Sequence, residues 1–212
     1  MRGPGAFRLT TETIRADLDA LAAEDAHVAA AVKLVGYPAE RRRPAGFDTL
    51  MRIIVGQQLS TKAAASIYAR LEQALDGQVA PRPFLALTDD GLRAVGFSRS
   101  KVVYARGLAE AVAGGTLDLG GLAGLADDEA QAVLTRLKGF GPWSAQIYLM
   151  FSLGRPDVWP GDDLAVRAGL ARIKGLDERP TAKQTEAMAE VWRPRRSAAA
   201  LLCWHYYSNA PM

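Results

Sequence analysis

Two short stretches hold the residues best suited to chemistry. Asp162 and Asp163 follow Pro160-Gly161 and open the run LAVRAGLARI, so both carboxylates fall at a helix start, where the dipole favours negative charge. An acid there either caps the helix or stabilises a developing cation and orients a water. Upstream lies Lys138-Gly139-Phe140-Gly141-Pro142, a turn too tight for side chains at its two glycines. Pro142 suits a first helical position, which needs no N–H. A helix opening at Trp143 beside a glycine turn presents backbone amides that bind an anion such as phosphate.

These residues need helices to position them, and helical periodicity dominates the chain, with no convincing alternating strand. Ile14, Leu18 and Leu21 recur at helical spacing within 11–24, and a second helix over 25–35 stops at Gly36. Arg41-Arg42-Arg43-Pro44 reads as a basic connector, a solvated loop in preference to a DNA contact. Phe47, Leu50, Met51 and Ile54 mark a helix with one buried face, and after the interruption at 56–60 Ser60 can cap the next, near Thr61. PRPF (81–84) starts a short connector, Thr88 caps a brief helix ending at Gly96, and Ser98 caps another. Asp127 and Asp128 are expected to cap the helix that enters the glycine turn, its stripe Val133, Leu134 and Leu137 ending at Leu137. The run from Trp143 to Leu153 is apolar almost all round, hence a buried helix, and residues 182–192 and a strongly apolar final segment complete the set.

With 212 residues the chain is one compact unit or two small lobes. A net charge of +3 is compatible with a polyanionic partner without requiring one. The single cysteine, Cys203, excludes a disulfide framework and a four-cysteine iron–sulfur cluster. His27 and His205 form no ligand-spaced cluster, and His205 and Cys203 read as packing residues. No apolar run approaches the roughly 20 residues that span a bilayer, and MRGPGAFRLT has no core like that of a signal peptide. A cytoplasmic, nucleoid-associated protein of bacterial type is the expectation.

The string LTRLKGFGPWSA, followed 20 residues after Trp143 by Asp163, resembles the helix-hairpin-helix (HhH-GPD) DNA glycosylase superfamily, and within it the 3-methyladenine DNA glycosylase II branch. IVGQQLSTKAAA is similar to the family's second signature, and WRPRRSAA to its closing motif, so the resemblance covers roughly residues 47–205 in order. It implies an all-α, two-lobed fold, one lobe about 50–150 and the other 1–49 plus 151–212. The DNA groove and base pocket would lie between the lobes, beside the buried helix after Trp143. The extra N-terminal sheet domain that some relatives carry is not expected ahead of these motifs.

The same resemblance assigns roles. Asp163 is the catalytic carboxylate, the cap falling to Asp162. Cleaving an N-glycosidic bond builds positive charge on the sugar, and a fixed acid stabilises it; one acid suffices when the departing base is alkylated and cationic. Trp143 stands where bifunctional relatives carry a lysine, and an indole forms no Schiff base, which implies hydrolysis without strand cleavage. Its ring instead resembles the floor of a base pocket, with cation–π attraction of about 0.5–2 kcal/mol for a cationic base, and Trp159 is a second pocket candidate. Gln58 and Leu59 are wedge candidates that fill the gap left by an extruded nucleotide, with Gln57 and Ser60 beside them. Further DNA-contact candidates are Arg99, Lys101, Lys138, Gly139, Gly141, Ser144 and Arg196. The backbone oxygens of Thr135, Leu137 and Phe140 match positions that hold a monovalent cation, Na+ or K+, and no other cofactor is expected. Ile147, Leu164 and Arg195 stand where the best-known branch has aromatic pocket residues.

The expected activity is hydrolytic removal of alkylated purines, such as 3-methyladenine or 7-methylguanine, from double-stranded DNA, in base excision repair, by a monomer. The alternatives are a non-catalytic helix-hairpin-helix DNA-binding protein and a glycosylase for oxidised or mismatched bases.

Overall fold

The computed structural model describes residues 6–211. Residues 1–5, half of the stretch read above as lacking a signal-type core, and Met212 lie outside the described residues. Within them the fold is all helical, without strands. In chain order the helices are α1 (Thr11–Glu24), α2 (Ala26–Val35), α3 (Phe47–Gly56), α4 (Thr61–Ala74), α5 (Pro81–Ala86), α6 (Asp89–Ala94), α7 (Arg99–Ala113), α8 (Asp127–Thr135), α9 (Pro142–Phe151), α10 (Leu164–Lys174), α11 (Ala182–Ala189) and α12 (Arg196–Asn209), with short 3-10 turns at Gly121–Gly124 and Glu190–Trp192. None of them is long and apolar enough to cross a membrane. The chain divides into two compact units, residues 43–148 and residues 6–42 with 149–211.

The first unit is built on α3. Its periodic residues Phe47, Leu50, Met51 and Ile54 are all buried, joined by Ile53 and Val55, because α3 packs on both α4 and α7. Phe84 is fully buried, its ring 6.3 Å from Phe47 and 6.3 Å from Phe97. That burial turns the expected PRPF connector into helix α5, with Pro81 at a position whose missing N–H costs nothing. Gly46 N–H donates to Tyr148 Oη at 2.9 Å and ties the segment before α3 into this unit. Helix α8 departs from expectation at both ends. Its N-cap is Ala126, whose N–H donates to the Glu129 carboxylate at 3.0 Å, so neither Asp127 nor Asp128 is the cap. It stops at Thr135, short of Leu137, whose N–H closes a tighter turn onto Leu134 O.

The second unit is centred on α12, buried continuously from Ser197 to Trp204 and packed on α10, α2 and α1. The closest approach is at Gly169 on α10, where an added Cβ would lie 2.1 Å from the Cys203 carbonyl oxygen. Backbone cannot yield as a side chain can, so Gly169→Ala forces the two helices apart. The expected cost is about 1–3 kcal/mol, read as a lower urea midpoint for this unit; an unchanged midpoint would show that the approach is looser.

Candidate functional site

In the glycine turn between α8 and α9, Lys138 and Gly141 are exposed. Gly139 has φ +87°, and a Cβ there would fall 2.2 Å from the Tyr104 ring, so glycine is required twice over. Gly141 differs: its φ is ordinary and nothing lies within 4 Å of a Cβ position. That space lies outside the protein, ahead of the first turn of α9, where Ala145 N–H returns to Gly141 O at 3.2 Å. Neither the Gly139 nor the Gly141 amide donates to another group among the described residues. Two such amides before a helix N-terminus have the geometry that suits an anion, and Lys138 beside them is exposed.

The α3–α4 connection sits against this turn. Gln58 adopts φ +58°, unusual for a residue with a side chain, and Leu59 is 40% exposed, as a wedge tip must be. Ser60 Oγ accepts from Ala63 N–H at 3.2 Å and caps α4. Leu59, Thr61, Tyr68, Arg43 and the half-buried Trp143 line one cavity of about 360 Å3, so the residues expected to act as wedge and stacking ring share a wall. Arg52 also lines it, held by Asp48 at 3.0 Å and Glu72 at 2.9 Å. Gln57 and Ser144 are turned inward: Gln57 Nε2 donates to Gly139 O at 2.8 Å and to Ser144 Oγ at 3.0 Å, and Ser144 is only 3% exposed. The Ser144 side chain is therefore an internal brace and not the strand contact expected of it. Lys101 Nζ donates to Val55 O at 2.6 Å at the end of α3, and partial burial lowers its pKa. Arg99, in the first turn of α7, is exposed.

The carboxylate of the second unit is Asp163, and it is the N-cap of α10, correcting the assignment of that role to Asp162. Its Oδ1 accepts from Ala165 N–H at 2.9 Å, Val166 N–H at 3.0 Å and the Trp204 indole N–H at 3.0 Å. Asp162 is exposed, and the apolar side chain of Leu164 is exposed next to Asp163. The loop that delivers Asp163 is pinned from below. Arg196 grips Asp157 at 2.7 and 3.1 Å and Glu190 at 3.3 Å. Ser197 Oγ accepts from Val158 N–H at 2.9 Å and donates to Arg155 O at 2.7 Å. With its side chain 12% exposed, Arg196 serves as the clasp of this loop, and the DNA contact expected of it is not where the structure uses the group.

Trp159 is also used elsewhere. It is 4% exposed, bonded through Nε1 to Thr185 Oγ1 at 3.2 Å and set edge-on to Trp192 at 5.7 Å, which leaves no open face for a base. The tryptophan that reaches the carboxylate is Trp204, whose only sequence signal is its place in the helix after the closing motif. Arg41 was missed as well. Its guanidinium lies 5.6 Å from the Trp204 ring centre; burial lowers its pKa and the charge of Asp163 opposes that. The connector read as a solvated loop thus places one cation within reach of the charge of Asp163. Arg195 pairs loosely with Asp17, at 3.6 Å.

A model of the HhH-GPD superfamily of base excision DNA repair proteins matches residues 51–194. DNA-3-methyladenine glycosylase 1 of Schizosaccharomyces pombe is 34% identical over 181 residues, covering 82% of this chain and 78% of that protein. A solved structure of the S. pombe 3-methyladenine DNA glycosylase in complex with abasic DNA superposes with a TM-score of 0.78 at 32% identity, covering 89% of this chain and 95% of the other. A DNA-3-methyladenine glycosidase structure from Bacillus halodurans gives 0.79 at 33% identity, over 89% and 87%.

Proposed function

Since the chain belongs to the HhH-GPD superfamily of base excision DNA repair proteins, we propose that it hydrolyses the N-glycosidic bond of alkylated purines in double-stranded DNA. The observation that carries this reading is the Asp163 carboxylate, fixed at the head of α10 by two backbone amides and an indole. As the base departs, the sugar becomes oxocarbenium-like, and a negative charge already oriented stabilises it without reorganising. The same carboxylate can orient the attacking water. Trp143 offers a ring face and no amine, so the base is released by hydrolysis and the abasic strand stays uncut.

On the DNA side, the Gly139 and Gly141 amides, Lys138 and Arg99 bind backbone phosphate, while Gln58 and Leu59 fill the space left by the extruded nucleotide. These contacts do not read base sequence, which suits a lesion scanner that grips backbone and distorts the duplex. The carbonyls of Thr135, Leu137 and Phe140 are neutral oxygens of the kind that replace the hydration shell of a monovalent cation. Leu137 O already accepts from Phe140 N–H at 3.0 Å and keeps a second lone pair. These residues would hold Na+ or K+, which would supply positive charge next to a DNA phosphate. Acting on duplex DNA, the protein would work at the nucleoid.

Labelled duplexes carrying either a methylated purine or an oxidised base test the reading. Release from the methylated duplex alone is expected, with no adduct on borohydride trapping. Release from the oxidised duplex alone would overturn the substrate class, and a trapped adduct would overturn the hydrolytic mechanism.

A further inference from the structure

The inward turn of Gln57 joins two parts of the site. We propose that Gln57 is a positioning residue that couples the strand-holding glycine turn to the wedge loop, so that phosphate grip and base displacement share one rigid platform; this rests on the wedge reading given above.

The orientation of the amide is forced by chemistry. Gly139 O can only accept, so the nitrogen of the Gln57 amide must face it, at 2.8 Å. The other N–H then donates to Ser144 Oγ at 3.0 Å, inside the first turn of α9. Both amide hydrogens are consumed within the protein, so this NH2 group has none left for DNA. One side chain on the α3–α4 loop thereby grips the turn and the helix that follows it.

The loop it anchors needs fixed ends. Gln58, the next residue, holds a left-handed backbone at φ +58°, a conformation that persists only where the surroundings over-determine it. Three anchors do so: Lys101 Nζ on Val55 O before the strained residue, Gln57 immediately before it, and the Ser60 cap after it. The exposed Leu59 lies between these anchors. Gly139, the acceptor of the Gln57 bond, is one of the two residues whose amides donate to no other group among the described residues. A wedge on a loose loop would spend its contact on ordering the loop; a wedge on a braced loop meets the duplex already placed.

The test uses a duplex with 2-aminopurine next to a 7-methylguanine, whose fluorescence rises when its neighbour leaves the stack. Gln57→Met keeps the length of the side chain and removes both donors. It is expected to lower the fluorescence change and the single-turnover release rate at saturating protein by about tenfold, with affinity for undamaged duplex within about twofold of the parent. Ser144→Ala, which removes one bond only, should lose about threefold, and it carries the test should Gln57→Met fail to fold. In the Leu59→Ala background Gln57→Met should add nothing, because the brace acts through the wedge. A parental signal in Gln57→Met, or losses that multiply with those of Leu59→Ala, would overturn the coupling. A parental signal in Leu59→Ala would instead overturn the wedge reading itself, so the two failures are distinct.

Discussion

Asp163→Asn is expected to slow base release by roughly 10²–10³-fold or more while leaving fold and duplex affinity nearly unchanged. Asparagine is as good an N-cap as aspartate, and its carbonyl oxygen can accept from Ala165, Val166 and Trp204 in the place of Oδ1. What it lacks is the negative charge, so this substitution separates chemistry from architecture. Asp163→Ala removes both, and should add a loss of about 1 kcal/mol from the missing cap. Single-turnover release from a methylated duplex, gel-shift affinity and thermal unfolding on the three proteins check this. An asparagine variant that releases bases at the parental rate would leave the protein a binder whose aspartate does nothing but cap a helix.

The cap that Asp163 forms also shows where sequence reading stops. Asp162 and Asp163 are both acids at a helix start, and period and composition cannot say which one the chain turns inward. The tertiary neighbour decides: the Trp204 indole reaches Asp163, from a helix distant in sequence. The tryptophans invert for the same reason. Trp159, near the acids in the chain, is consumed by Thr185 and Trp192, whereas Trp204, distant in the chain, is beside the carboxylate.

Local signals fared better wherever one residue settles the matter. Ser60 and Ser98 cap the helices expected of them, since a serine before an apolar run has one low-energy use. Gly36 ends α2 at φ +75°, as a glycine after a helix does. The all-helical class was legible because apolar positions recur at three and four residues through most of the chain. Arg196 and Ser144 were not legible. A basic or hydroxyl side chain in a DNA-binding motif reads as a contact, and only Asp157 and Gln57, brought from elsewhere, show each facing inward.

The hairpin glycines, identical in the sequence, should respond oppositely to the same methyl group. Gly139→Ala drives a Cβ to 2.2 Å from the Tyr104 ring and holds an L-residue at φ +87°. Overpacking costs about 1–3 kcal/mol and the left-handed backbone about 1–2 kcal/mol more, so the turn must rearrange. Rearrangement moves Gly139 O, the acceptor of Gln57, and the Gly139 and Gly141 amides with it. Thermal stability and duplex affinity should fall together, the affinity by roughly tenfold or more, since each charge-assisted bond to a phosphate contributes about 1.5–3 kcal/mol. Gly141→Ala meets nothing within 4 Å and needs no unusual φ, so its stability should equal the parent's. Its methyl occupies the very space through which a phosphate would reach the amides, and affinity should still fall by about tenfold. Melting curves and gel shifts on the two variants at one salt concentration separate the cases. If Gly141→Ala bound duplex as tightly as the parent, the strand would not pass over that turn, and the anion seat would have to be sought elsewhere.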